Sequence, residues 1–251
     1  MCVIFYQTKD NDLFTYDDFK NAALTNPHGM GWLANIGGQV RYKKGYFNVN
    51  EFYNDYVALR QDPDLIDIAV HFRIGTGSAI DVANCHPFPI TSSPKRIRKS
   101  HGVCDVGIMM NGIIGTSTNE FSDTALYTMK NLKRYYDIDR RWFLKLNKKR
   151  QKIFDAEIAG CRFVFICRDG SKLFGSGWSE YENKGMISNR YWIPKPITLS
   201  PYYYNWDWGY DDFTYDSYDA WCESRAKRFS KKKNDKRHKS YIDYLMEEEE
   251  G

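Results

Sequence analysis

The sequence predicts an α+β fold of two mostly antiparallel sheets with helices outside, followed by a C-terminal appendage. Three observations predict it. Strand-like segments come in hairpins rather than in regular βαβ units, which favours antiparallel pairing. Two pairs of helix-like segments interrupt them. After about Pro201 the chain changes character. Tyr202 to Asp219 interleaves aromatic and acidic residues without a period, and Arg225 to Lys239 holds nine Lys/Arg and one acid. Glu247 to Glu250 are all acidic. These shifts divide the chain into a body, residues 2–195, and an extension, residues 196–251.

The elements follow in order. Cys2 to Gln7 (CVIFYQ) is a short apolar run and reads as a buried strand. Thr15 to Leu24 reads as a helix capped by Thr15, with Asp17 and Asp18 in its first turn. Gly31 to Tyr42 reads as a hairpin turned at Gly37-Gly38. Asn50 to Gln61 reads as a helix with Asn50 as its cap. Leu65 to Arg73 and Val103 to Met110 read as strands, the second followed by a turn at Asn111-Gly112 and a short return, Ile113-Ile114. Ser122 to Tyr135 reads as a helix with Ser122 as N-cap, and Arg140 to Phe154 as a second, basic on its outer face. Cys161 to Arg168 and Lys172 to Gly175 read as a hairpin around Asp169-Gly170. Two more short strands are expected around Gly185 and Tyr191.

Composition narrows the function classes. The chain has 251 residues, 42% hydrophobic and 27% charged, which is ordinary for a globular protein. No apolar run approaches the roughly 18 residues of a membrane helix. The start, Met1 to Asp10, has no basic lead and only four apolar residues in a row, Val3 to Tyr6, so no secretory signal is expected. A soluble, cytoplasmic protein without membrane contact is the expectation. The six cysteines form no CxxC pair, so neither a zinc site nor a thioredoxin-type motif is supported, and most read as buried thiols. No metal site is expected. There is no GxGxxG after a strand and no GxxxxGK[ST]. The net charge is +4: before Arg225 the chain is near neutral, with 27 Lys/Arg against 26 acids, and the excess lies beyond, where the 225–239 block is followed by acidic residues. That block could touch nucleic-acid phosphates, but a solvated helix face is the favoured reading.

Chemistry concentrates in five short pieces: Cys2 after Met1, Asn26-Pro27-His28-Gly29-Met30-Gly31-Trp32, His71-Phe72-Arg73-Ile74-Gly75-Thr76-Gly77, Asn84-Cys85-His86-Pro87-Phe88, and Asn111-Gly112 with Ser122-Asp123-Thr124 beyond. A small second residue permits removal of the initiator Met, which would give Cys2 a free α-amine of pKa about 7.7–8.0. One residue then supplies a thiol nucleophile and a base matched to neutral pH. Arg73, at a strand end, suits a substrate carboxylate, with Thr76 as a second polar contact. Asn111 and Gly112 can offer an amide and a backbone N–H to an oxyanion. Asp123, at a helix start, can accept from an ammonium. An Arg for a carboxylate and an Asp for an ammonium recognise a free α-amino acid, and glutamine places a carboxamide at the nucleophile. Singly, each piece has another reading: Cys2 a buried strand thiol, Arg73 a surface ion pair, Asn111-Gly112 a hairpin turn, Asp123 part of a helix start, His71 and His86 packed histidines.

In this order the pieces MC, HGMGW, HFRIGTG, NCHPF, MNG and SDT resemble the class II glutamine amidotransferases, glutaminase domains with an N-terminal nucleophile cysteine. The resemblance covers roughly the first 195 residues. It implies a four-layer αββα sandwich of the N-terminal nucleophile hydrolase type and a γ-glutamyl thioester at Cys2. Arg73 and Thr76 would hold the glutamine carboxylate, Asp123 its amine, and Asn111 and Gly112 the oxyanion. His86-Pro87-Phe88 would form a supporting wall of the substrate pocket, with Gly29 and Gly31 allowing close packing. No cofactor is implied. Met110 stands where the family usually has His, Gly75 where it has Ala, and Ala125 where an acid is common. A body of this size leaves too little chain for a synthetase domain, so ammonia would pass to a separate acceptor enzyme. Two alternatives stand beside this: a γ-glutamyl amidase or peptidase without ammonia transfer, and a non-enzymatic nucleic-acid-binding protein using Arg225 to Lys239.

Overall fold

A computed structural model describes residues 1–194, and the extension 196–251, with its basic block and Cys222, lies outside them. The chain forms β1 (Val3–Thr8), α1 (Tyr16–Thr25), β2 (Met30–Ile36), β3 (Gln39–Tyr46), α2 (Val49–Arg60), β4 (Leu65–Phe72), β5 (Phe88–Pro89) and α3 (Pro94–Ile97). Then follow β6 (His101–Cys104), β7 (Val106–Asn111), α4 (Asp123–Tyr127), α5 (Lys133–Ile138), α6 (Lys148–Glu157), β8 (Arg162–Cys167), β9 (Gly170–Phe174), β10 (Ser179–Glu180) and β11 (Met186–Ile187). The result is mixed α+β, with a seven-stranded sheet ordered β10-β11-β1-β4-β2-β3-β6 and a four-stranded sheet ordered β5-β7-β8-β9. Every pairing is antiparallel.

Side chains alternate along these strands, and the alternation sorts the core. Ile4, Leu33, Ala69, Met109, Val164 and Ile166, drawn from both sheets, form one buried cluster. Their neighbours in sequence face the other way. Val3, Phe5 and Phe72 join Phe19 of α1 and Phe52 and Tyr56 of α2. Phe163 and Phe165 of β8 join Tyr135, Trp142 and Phe154 of the second helical group. Two antiparallel sheets with an apolar cluster common to both are compatible with a sandwich. Each fully buried Phe contributes about 1.5–3 kcal/mol by removal from water. Among the described residues no helix is long and apolar enough to cross a membrane.

Several local expectations are met. Thr15 caps α1 in a capping box with Asp18, and Ser122 caps α4 by accepting from the Ala125 N–H. The β2–β3 hairpin turns at Gly37 and Gly38, both at positive φ. Others are corrected. The cap of α2 is Asn48, not Asn50, because the Asn48 side chain accepts from the backbone N–H groups of Asn50 and Glu51. The run from Val103 to Met110 is two strands in different sheets. It breaks at Asp105, which the Arg141 guanidinium and the Tyr136 hydroxyl bind at the crossing. Asn111-Gly112 is no hairpin turn and Ile113-Ile114 is no strand, since β7 is flanked by β5 and β8. The helix from Ser122 runs on to Ile138 through a π-turn, Thr128–Leu132, where the Thr128 hydroxyl donates to the Thr124 carbonyl. The helix expected from Arg140 is a 3₁₀ turn, Trp142–Leu144, and a separate α6 capped by Asn147. Both late short strands, β10 and β11, flank Gly185, and none forms at Tyr191.

Candidate active site

The register carries Cys2 and Arg73 to one place. β1 pairs with β4 through Val3↔Phe72, so Cys2 and Arg73 are the next step along, at the end of two neighbouring strands. The Cys2 thiol lies 3.5 Å from the Ile74 carbonyl, and the Ile74 N–H donates to the sulfur at 3.4 Å. Burial pushes the thiol pKa up. The Ile74 N–H, the chain's terminal ammonium and Arg73 pull it back, and Asp123 adds to the rise. From the other side, the Asn189 amide donates to the Cys2 carbonyl at 2.7 Å.

Arg73 is 3% exposed. Its guanidinium donates to the Ser78 hydroxyl at 2.8 Å and the His28 carbonyl at 3.4 Å, and makes no ion pair among the described residues. The surface ion-pair reading is therefore wrong. The carboxylate of Asp123 accepts from the backbone N–H groups of Ile114 and Thr124. Burial raises its pKa, against the pull of those donors and of Arg73. Thus Asp123 both begins a helix and faces the cavity.

All seven residues expected at the site line two cavities that share Cys2, Ile74, Thr76 and Gly112. Arg73, His86 and Asp123 line the smaller, of about 20 Å³. Asn111 lines the larger, of about 110 Å³. Two loops that contribute Ser78 and Ser117 to the smaller one touch each other: Ala79 donates to the Asn119 carbonyl, and Gly77 is so near Ser117 that a Cβ would come within 2.7 Å of its hydroxyl.

Asn111 is fully buried. Its amide donates to the Ser188 hydroxyl at 2.9 Å, while its carbonyl oxygen has no partner. Gly112, at φ 142°, abuts Cys161. His71 and His86 stack with ring centres 4.0 Å apart. Burial drives both pKa values down, that of His71 to about 3. They are neutral wall residues, and His71 contacts the Met110 carbonyl through Nε2. Gly31 lies so close to the His86 carbonyl that a Cβ would come within 2.2 Å of it, and one on Gly29 would come within 2.3 Å of the Cys85 sulfur. The close packing expected at these glycines is present.

Four contributors were not foreseen. Ser188 holds the Asn111 amide and accepts from the Ile4 N–H, and Asn189 holds the Cys2 carbonyl. Ser78 holds Arg73. Lys44, buried and drawn down to a pKa of about 7 by desolvation, donates to the Ala83 and Ile97 carbonyls, securing the segment before His86. Ser78 lies two residues beyond Thr76, which was a usable signal; Ser188-Asn189 stand in a segment that resembles the closing strands of the amidotransferase domain, and Lys44 carries none. Among the described cysteines Cys85, Cys161 and Cys167 are buried and Cys2 and Cys104 partly so, all as free thiols.

No family model matches the chain, and no match to it is found among curated proteins.

Proposed function

We propose that the protein is a glutaminase of the glutamine amidotransferase type. It hydrolyses the glutamine side-chain amide through a thioester at Cys2 and supplies ammonia to a separate acceptor enzyme in the cytoplasm. The observation that carries this is the buried Arg73, without an ion pair among the described residues, set in one cavity with Asp123 and the Cys2 thiol. A guanidinium and a carboxylate beside a nucleophile suit the two charged ends of a free amino acid. The two facing sheets support assignment to the four-layer αββα, N-terminal nucleophile hydrolase type.

In the proposed reaction Met1 is removed and the α-amine of Cys2 takes the thiol proton. The sulfur attacks the carboxamide carbon, and the developing oxyanion receives the Gly112 N–H and the Asn111 amide. The C–N bond breaks, ammonia leaves with the proton, and water then releases glutamate from the thioester. The Arg73 cavity holds about one water at its present size, so the amino acid enters by parting the loops joined at Ala79 and Asn119.

Cys2→Ala is expected to keep the fold and lose ammonia release, with a diazoketone analogue of glutamine labelling Cys2 in the parent chain. Full glutaminase activity in Cys2→Ala, or a mature chain that retains Met1 and is active, would refute the mechanism. The basic block at 225–239 lies outside the described residues, and no observation favours the nucleic-acid alternative.

A further inference from the structure

We propose that Asn84 is a positioning residue for the amine end of the substrate. From 38 positions away it completes the cap of the helix that begins with Asp123, and so fixes Asp123 relative to Arg73. The inference rests on the amino-acid site proposed above and assigns a residue that sets its geometry.

A helix start leaves backbone N–H groups without partners, and a capping box satisfies two of them. The cap side chain accepts the N–H three residues on, and the side chain there accepts the N–H of the cap residue. The start of α1 does both: Thr15 accepts from the Asp18 N–H, and Asp18 accepts from the Thr15 N–H at 2.8 Å. The start of α4 does only the first. Ser122 accepts from the Ala125 N–H, but Ala125 has no side-chain acceptor with which to return the bond. The buried Ser122 N–H donates instead to Asn84 Oδ1 at 2.8 Å. The Asn84 amide also donates to the Glu120 carbonyl at 3.2 Å, so both side-chain bonds fall on the stretch leading into Asp123. Arg98 donates to the Glu120 carbonyl as well, at 2.8 Å, but the Ser122 N–H goes to Asn84.

Asn84 is itself held in place. It is buried, its own N–H donates to the Asp81 carboxylate at 2.8 Å, and Lys44 binds the neighbouring Ala83 carbonyl. The same segment reaches Arg73 through the Ser78 hydroxyl. Residues 78–84 thus bond Arg73 at one end and the Asp123 helix at the other, and both charges line one cavity. The joint between Ala79 and Asn119, which parts for the substrate, lies at the far end of this segment from Asn84. Asp123 therefore keeps its place while the loops open.

The test is the preference for an amine. Glutamate and glutarate share two carboxylates and differ in the α-ammonium that Asp123 would receive. Their dissociation constants are compared by calorimetry on the full chain after Met1 removal. The parent should bind glutamate about tenfold or more tighter than glutarate. Asn84→Ala should cut that ratio about fivefold or more and leave glutarate affinity little changed. An unchanged ratio, or glutamate and glutarate weakened alike, overturns the positioning role. So does equal affinity in the parent, even where glutamine is hydrolysed. Should Asn84→Ala fail to fold, hydrogen exchange on the parent decides: glutamate should slow exchange in residues 81–86 and 119–125 together, and protection of one without the other, or of neither, overturns the role. A parent chain that prefers glutamate, and loses the preference in Asn84→Ala, but neither hydrolyses glutamine nor is labelled at Cys2 defeats the Cys2 reaction and supports Asn84.

Discussion

Asp67 offers a sharp test of how this fold handles buried charge. It lies on β4 in phase with Ala69 and His71, is 3% exposed, and leaves Oδ1 without a partner. Burial pushes its pKa up from 3.8 to about 6, against a hydrogen bond from Ser171. An acid with a raised folded pKa stays protonated while the unfolded chain ionises. Stability therefore falls as pH rises from about 4 and levels off above about 6. A rise of about two units at about 1.36 kcal/mol each amounts to about 3 kcal/mol at neutral pH.

Asp67→Asn removes that term. The new amide adds a cost for a poorly satisfied donor of about 1–3 kcal/mol, but this does not vary with pH. The useful quantity is thus the difference in unfolding free energy between variant and parent, followed across pH. It should move in the variant's favour by about 3 kcal/mol between about pH 4 and pH 7, read by urea unfolding with tryptophan fluorescence. Histidine titration affects both proteins alike and cancels. A difference that stays constant over that range refutes the account of Asp67 as a buried, protonated acid.

Other outcomes follow from the same coordinates. His71 and His86 are held neutral, so their contribution is complete above the unfolded value near 6.5 and is lost as pH falls toward 3. Their share of the stability slope should approach two protons, about 2.7 kcal/mol per pH unit, offset in part below about pH 6 by Asp67, and His86→Gln should lower the slope by one proton, about 1.4 kcal/mol per pH unit. Ser188→Ala removes the partner of the Asn111 amide and should lower kcat for glutamine about tenfold or more with KM little changed; an unchanged kcat would remove Ser188 from the site. Gly31→Ala drives a Cβ into the His86 carbonyl and should cost about 1–3 kcal/mol, seen as a lowered Tm.

Local features were legible because their causes are local. The caps at Thr15 and Ser122 and the Gly37-Gly38 turn each depend on a few adjacent residues. The break at Asp105 was not, because an apolar run crossing between sheets looks like one strand and the partner that holds the crossing, Arg141, is 36 positions away. The site divides the same way. Cys2, Arg73, Thr76, His86, Asn111, Gly112 and Asp123 stand in recognisable short motifs, and the fold gathers them on two adjoining cavities. Ser188 meets Asn111 across 77 positions and Arg162 meets it across a sheet ladder, contacts that no neighbouring residue announces.

Arg73 continues, just past the end of β4, the phase of Asp67, Ala69 and His71. Asp67, His71 and Arg73 follow one another at every second or fourth position, and all three are nearly sealed from water. Burying a charge costs several kcal/mol unless it is paired. Asp67 can avoid that cost below about pH 6 by keeping its proton, and His71 avoids it at neutral pH by giving its proton up. Arginine has no such escape, since its pKa lies above about 12. Its neighbours Ser78 and the His28 carbonyl are neutral, and the nearby Asp123 carboxylate bonds the backbone N–H groups of Ile114 and Thr124 rather than Arg73. Among the described residues Arg73 is thus a permanent charge without a paired anion, at the cavity beside the Cys2 thiol. A bound carboxylate supplies what the chain withholds, and its binding would be expected to stabilise the protein as well as present a substrate.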